Sequence, residues 1–301
     1  MGEPAYLALV ESGELAERVE ALRGLMAPCR LCPRRCHVDR IAGEMGFCRA
    51  GPEPMISSYG PHFGEEAPLV GVGGSGTIFL THCNLGCAFC QNYDISREGL
   101  GHTVSIAELA EIMLQLQERG CHNVNLVTPT HYVPVLVEAL GLAAQNGLRL
   151  PVVYNCGGYE SLEALQLLDG ILDIYMPDAK YADPAVSAEL SGAADYPQRA
   201  RVAIGEMYRQ VGPLQLDERG IAVRGLLVRH LVLPEGLAGT ARIMQFLAGL
   251  DREMYVNVMA QYHPCYRAHE HPRIARRITA EEYEAAVRAA REAGLHRLDK
   301  L

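Results

Sequence analysis

The chain has no surplus of positive charge: 27 lysines and arginines face 36 aspartates and glutamates, giving a formal net charge of −9. That removes the general electrostatic footprint of a protein that wraps nucleic acid. No apolar run approaches the roughly 20 residues that a membrane helix needs. The first residues, Met1-Gly-Glu-Pro-Ala, lack a basic stretch followed by an apolar one, so no export signal is read there. Repeats and low-complexity tracts are also missing. With 301 residues, 49% of them hydrophobic and 21% charged, what remains is a globular protein with one large domain or two small ones. Its expected place is the cytoplasm, with no membrane and no nucleic acid among its partners.

Cysteine, by contrast, is plentiful. Ten occur, and seven of these fall in two tight groups between Cys29 and Cys90. Secreted disulfide frameworks belong mainly to short chains, so clustering of this kind in a reducing compartment points to metal or redox chemistry.

Residues 5–26 read as one amphipathic helix, broken by Pro28, and a loop-rich cysteine segment runs to about residue 60. Beyond it, short apolar strands are predicted at 76–81, 123–128, 151–155, 171–176, 226–233 and 254–260. Helical patterns lie between them, at 132–146, 161–168, 197–211 and 239–250. Ser105-Ile-Ala-Glu108 and Thr279-Ala-Glu-Glu282 are capping boxes that open two more. Alternating strands and helices argue for an α/β fold with parallel strands and outer helices, a partial (β/α)6 barrel whose chemistry sits at the C-terminal strand ends. The expected division is an N-terminal helix and cysteine segment over 1–60, then the barrel with its C-terminal helix over 61–301. Gly71-Val-Gly73-Gly-Ser-Gly76 matches the dinucleotide-binding string, but it precedes a strand instead of opening a helix, so it is read as a flexible entry to the barrel.

Cys83, Cys87 and Cys90 form C-x3-C-x2-C just after the first barrel strand. Structural zinc wants four ligands, and catalytic zinc usually draws on histidine or carboxylate. His82 adjoins Cys83, yet two consecutive residues are poorly placed to bind one ion. A 4Fe-4S cluster fits better, with thiolates on three irons and an open fourth iron. Asn84, Gly86 and Ala88 let backbone amides reach the sulfurs, and Phe89 shields the site from water.

This motif at the end of the first strand of a β/α barrel resembles the radical S-adenosylmethionine (SAM) superfamily. The resemblance implies that SAM chelates the fourth iron. It also implies that one electron splits the sulfonium, giving methionine and a 5′-deoxyadenosyl radical that abstracts hydrogen. An electron donor such as flavodoxin or ferredoxin is implied with it. The later strand ends are the stations for SAM. Thr128-Pro-Thr130 stands where relatives carry Gly-Gly-Glu, and Asn155-Cys156-Gly157 stands where activating enzymes carry an Asp-Thr-Asn-Gly-like turn. Asp178-x-Lys180 matches the pyruvate formate-lyase activating enzymes at strand four, and Tyr262-His263 is similar to them after strand six. Arg229, inside an apolar strand, needs a buried anion or a route to solvent, and could fork onto the SAM carboxylate.

Cys29, Cys32, Cys36 and Cys48 give C-x2-C-x3-C-x11-C, four thiolates for a closed site. Structural zinc and a second iron–sulfur cluster both fit this spacing. The pattern, together with the barrel motif and the tail, resembles the PflX-like branch of the superfamily, whose members are similar to pyruvate formate-lyase activating enzyme. The implied substrate is a hydrogen donor, such as a glycine of a partner protein. A non-catalytic iron–sulfur redox sensor or electron-transfer protein, and a zinc hydrolase, are the readings from other classes. Of the lone cysteines, Cys121 reads as a core thiol, and Cys156 and Cys265 lie toward the barrel mouth.

Overall fold

The computed structural model describes residues 3–299. Met1 and Gly2, part of the segment read for an export signal, lie outside the described residues, as do Lys300 and Leu301. Among the described residues, nine strands form the sheet. They are β1 (Met55–His62), β2 (Ser75–Leu80), β3 (His102–Thr103), β4 (Val124–Val127) and β5 (Val152–Cys156). Then come β6 (Ile174–Pro177), β7 (Gln215–Leu216), β8 (Ala222–Leu231) and β9 (Tyr255–Met259). The helices are α1 (Tyr6–Ser12), α2 (Glu14–Arg23), α3 (Ala67–Val70), α4 (Tyr93–Ser96), α5 (Ile106–Glu118) and α6 (Val133–Gln145). They continue with α7 (Leu162–Leu167), α8 (Pro184–Ser191), α9 (Tyr196–Val211), α10 (Thr240–Leu250) and α11 (Ala280–Glu292).

The run β2-β4-β5-β6-β8-β9 is parallel throughout. All five residues of β5 are buried, as a central parallel strand covered on both faces requires. This is a mixed α/β fold with a mostly parallel sheet, consistent with a partial barrel. The sheet stays open. β1 and β3 close one edge in antiparallel pairing, and β9 ends the other. Side chains reach across the gap: Asn257 of β9 donates to Glu66 at 2.8 Å, and Arg229 of β8 pairs with Glu65 at 3.7 Å.

The six expected strands and the expected helices are all present within a few residues, and both capping boxes are closed. Several features differ from the sequence reading, among them helix α8, which it did not expect. The single helix expected over 5–26 is two, because Gly13 takes a left-handed φ of 80° and ends α1 before α2 begins. β1 was hidden in a stretch read as loop; its alternation is irregular, and a register shift between Ile56 and Ser58 interrupts it. The boundary expected after residue 60 therefore falls inside β1, which is hydrogen-bonded to β2.

The N-terminal helices pack on the barrel's outer layer. Leu15 of α2 sits against Gly141 of α6, Arg23 pairs with Glu138, and the Tyr6 hydroxyl donates to the Leu150 carbonyl at 3.0 Å. The Gly71–Gly76 string allows close approach instead of flexible entry. A Cβ at Gly73 would lie 2.0 Å from the Gly120 carbonyl oxygen, so any larger residue would force the strand feet apart.

Candidate active site

The C-terminal ends of the parallel strands converge on a cleft of about 260 Å³. Its walls include Cys83, Cys87, Phe89 and Cys90 from the loop after β2, and Thr128 after β4. Asn155 and Cys156 come from β5, Asp178 and Lys180 follow β6, and Arg229 comes from β8. A larger hollow of about 450 Å³ between α2 and α6 has no cysteine, histidine or lysine in its lining, so the chemistry belongs to the first.

The cysteine loop is held in place. His82 adopts φ 68°, a left-handed turn that swings the chain off β2, and its N–H donates to the Ile95 carbonyl at 3.0 Å. The Leu85 N–H donates to the Cys83 sulfur at 3.3 Å, and the Ser191 hydroxyl donates to the Cys87 sulfur at 3.0 Å. Cys90 Sγ lies 3.1 Å from Ser96 Oγ. Asn84 is buried and its amide donates to the Tyr159 carbonyl at 2.6 Å. Phe89 meets Tyr262 edge-on at 5.8 Å and Tyr181 at 6.4 Å, which seals the inner side of the loop.

Burial pushes the Cys83 and Cys90 thiols up, and the neighbouring Cys87 adds to the effect. Thiolates crowded this closely call for a strong positive charge beside them, and coordination to metal supplies one. A tetrahedral zinc would bring its sulfurs within about 3.8 Å of each other. A cubane offers each thiolate its own iron. With a hydrogen-bonding group already in reach of each sulfur, the loop fits a 4Fe-4S cluster in its chemistry.

The opposite wall is an ion network. Asp178 accepts from Lys180 Nζ at 2.6 Å and from Arg229 Nε at 3.0 Å. Arg229 Nη2 donates to Asn155 Oδ1 at 2.7 Å. Burial opposes the Asp178 charge, but Arg229 and then Lys180 outweigh it and hold the carboxyl below its usual range. Burial likewise raises Glu65, with Arg229 acting against it. The Arg229 fork expected for a ligand carboxylate is therefore already engaged by Asp178 and Asn155. Lys180 is different: Asp178 takes one donor of its ammonium, which still borders the cleft.

Tyr196 fixes the Asp-x-Lys turn, its hydroxyl donating to the Asp178 and Gly157 carbonyls and accepting from the Lys180 N–H at 3.0 Å. Gly158, at φ 75°, lets the β5 turn pass beneath it; a Cβ there would lie 2.2 Å from the Asp178 oxygen. Thr128 is a β-branched residue at φ 62°, a strained backbone at the cleft wall.

Two expected site residues are not on this wall. Thr130 is buried behind it, where its hydroxyl donates to Glu160 at 2.7 Å. His263 is half-buried at the rim, with Nδ1 3.2 Å from the Gln91 amide nitrogen. Glu65, Glu160, Tyr181, Ser191 and Tyr196 were missed, because each acts through a long-range contact with no local motif. The Gln91 and Ser96 positions, directly beyond Cys90, were the ones that proximity could have flagged.

In the N-terminal segment, Cys29 and Cys32 are buried, Cys36 and Cys48 half-buried, and none is bonded to another. Arg35, His37 and Arg49 take φ of 42°, 57° and 62°, so residues flanking Cys36 and Cys48 are turned as His82 is beside Cys83. The Phe47 N–H donates to the Cys36 sulfur at 3.3 Å. Burial pushes Cys32 up to about 12, with Cys48 and then Cys29 adding to it. Arg40 is 1% exposed and donates to the Ala50, Gly51 and His131 carbonyls, with no carboxylate paired to it among the described residues. Cys156 lines the cleft, Cys121 is a buried core thiol and Cys265 is half-buried after β9.

Glu160 generates a prediction about stability. Burial raises its carboxyl to about 7, against hydrogen bonds from Thr130, Tyr154 and Cys156. The folded state thus binds a proton that the unfolded chain releases near pH 4.5, so stability falls as pH rises from there through 7. Glu160→Gln should remove about 3 kcal/mol of this pH dependence between pH 4.5 and 8. Denaturant unfolding of both proteins across that range checks it; parallel curves would contradict the assignment.

Residues 77–212 match the radical SAM superfamily, a span that begins in β2 and takes in the cysteine loop. The protein named Uncharacterized protein MJ0674 of Methanocaldococcus jannaschii is 33% identical over 299 residues, covering 96% of this chain and 82% of the relative. A three-thiol loop closing the first parallel strand, the strand-end cleft that it faces and these two likenesses agree: the chain belongs to the radical SAM superfamily.

Proposed function

We propose that this is a radical SAM enzyme that reductively cleaves SAM at a 4Fe-4S cluster held by Cys83, Cys87 and Cys90. The observation that carries the reading is the placement of these thiols, on one fastened loop, across the cleft from a half-buried ion network. When bound, the cluster supplies one electron to the sulfonium, releasing methionine and a 5′-deoxyadenosyl radical for hydrogen abstraction from a substrate.

The chain's own residues bind and orient. Lys180 keeps donors for the SAM carboxylate, and Asp178, clamped between Lys180 and Arg229, fixes where that ammonium stands. Arg229 acts as the clamp; its fork is not the ligand contact. Asn155 completes the clamp and Thr128 offers its turned backbone at the cleft edge. Phe89 keeps water from the inner face. His263 reaches the loop through Gln91 at the rim, where a substrate would enter.

The substrate class we assign is a carbon-bound hydrogen donor, in the manner of a glycyl-radical-enzyme activase. Asp178-x-Lys180 and Tyr262-His263 at their strand ends support it, as does likeness to the PflX-like branch. An electron donor such as flavodoxin or ferredoxin completes the cycle. Among the described residues no helix is long and apolar enough to cross a membrane, which agrees with action on a dissolved partner.

The four N-terminal thiols are proposed as a second metal centre. A closed four-thiolate site around zinc or a cluster carries net negative charge, and Arg40 is a buried cation with no carboxylate of its own among the described residues.

Cys87→Ala should abolish 5′-deoxyadenosine formation from SAM under anaerobic reduction while leaving the far-UV circular dichroism unchanged; a variant still making the nucleoside overturns the assignment. Wild type that makes none, with its cluster intact, would favour a redox sensor or electron-transfer protein. For the second centre, anaerobic iron, sulfide and zinc analysis of a Cys29→Ala/Cys32→Ala variant should show loss of one zinc or of about four irons. Metal content equal to wild type would contradict it.

A further inference from the structure

The end of α8 grips the cysteine loop on both sides of Cys87. The Gly86 N–H donates to the Ser191 carbonyl at 3.4 Å and the Ala88 N–H to the Leu190 carbonyl at 2.8 Å. The last carbonyls of a helix have no partner within it, and here the loop amides satisfy two of them. Gly192, at φ 60°, turns the chain away immediately afterwards. Arg34 Nη2 donates to the same Ser191 carbonyl at 3.2 Å, and its Nε to the Asn84 carbonyl at 3.0 Å, tying the N-terminal segment to the clamp.

Within this grip, the Ser191 side chain is fully buried and its hydroxyl donates to Cys87 Sγ at 3.0 Å. Its oxygen lies 2.7 Å from the Tyr181 hydroxyl, which donates to it because the Ser191 proton is committed to sulfur. Tyr181 is itself 3% exposed and wedged edge-on between Phe89 and Tyr196. A relay Tyr181–Ser191–Cys87 therefore runs through a dry part of the core. A helix-packing role alone would ask nothing of a serine hydroxyl there.

We propose that Ser191 is a positioning residue that sets the reduction potential of the radical cluster, with Tyr181 orienting its hydroxyl toward the Cys87 sulfur. The proposal rests on Cys87 being a cluster ligand. A hydrogen bond to a ligand sulfur draws electron density from it and favours the reduced, more negative state. In this loop the Cys83 sulfur receives a backbone N–H, which side-chain substitution leaves in place. The Ser191 donor is separable from the fold in a way that one is not.

The test is a redox titration of anaerobically reconstituted full-length protein, followed by visible absorption and electron paramagnetic resonance, for wild type, Ser191→Ala, Ser191→Thr and Tyr181→Phe. At the wild-type midpoint, Ser191→Ala should show a reduced-to-oxidised ratio about three- to tenfold lower, tenfold corresponding to about 59 mV for one electron. Tyr181→Phe should move it the same way by less, and Ser191→Thr, which keeps the hydroxyl, should restore the wild-type value. An iron-replete Ser191→Ala protein with an unshifted midpoint overturns the proposal. If Ser191→Ala fails to hold iron, Tyr181→Phe decides, since it leaves Ser191 and the backbone clamp in place: a downward shift supports the relay and no shift overturns it. Wild-type protein that takes up no cluster at all would instead overturn the ligand assignment of Cys87.

Discussion

Three thiols crowded on one short loop, one buried and two half-buried, need something positive to stand against them if they are to act as thiolates. Burial already drives Cys83 and Cys90 toward the neutral form. The surrounding structure does what it can without metal: an N–H reaches Cys83, a hydroxyl reaches Cys87 and another meets Cys90. Hydrogen bonds of this size soften the cost of a thiolate but do not offset three of them at once. The proposed cluster would supply the positive charge that this loop lacks.

The parallel sheet turns this local demand into a site. Because successive strands run the same way, their C-terminal ends open on one side, and each contributes its first loop residues to one cleft. Asp178 and Lys180 can meet Arg229 there because β6 and β8 are adjacent, with the Asp178 and Arg229 backbones still bridged beyond the strand end. The chain is acidic as a whole, yet it places Lys180 and Arg229 beside the cleft and Arg40 beneath the N-terminal cysteines, where negative centres would gather. A half-buried pair such as Asp178 and Arg229 is weak support for stability, but it fixes direction well. Its geometry leaves Lys180 as the cation facing the ligand space.

Much of this was legible beforehand. The cysteine spacing, its position after an apolar strand and the strand–helix alternation are local signals, and the capping boxes at Ser105 and Thr279 mark helix starts through chemistry confined to four residues. What stayed hidden depends on contacts distant in sequence or on a single backbone angle. Gly13 splits a helix that periodicity alone extends, and β1 lacks clean alternation because a register shift between Ile56 and Ser58 interrupts it. Arg229 was rightly read as needing an anion, but its partners Asp178 and Asn155 lie 51 and 74 residues away. Thr130 sits two residues beyond a true wall residue and still faces the core, since Glu160 holds its hydroxyl. Ser191, at the end of a helix 104 residues from Cys87, left no trace in the pattern.

The central claim is that the cluster keeps an open corner for SAM. It is tested most directly by adding SAM to the reduced, oxygen-free, reconstituted protein and recording its electron paramagnetic resonance spectrum. The account predicts a distinct change in the signal on SAM addition. A spectrum that is identical with and without the nucleotide, in protein carrying its full complement of iron and sulfide, would contradict it.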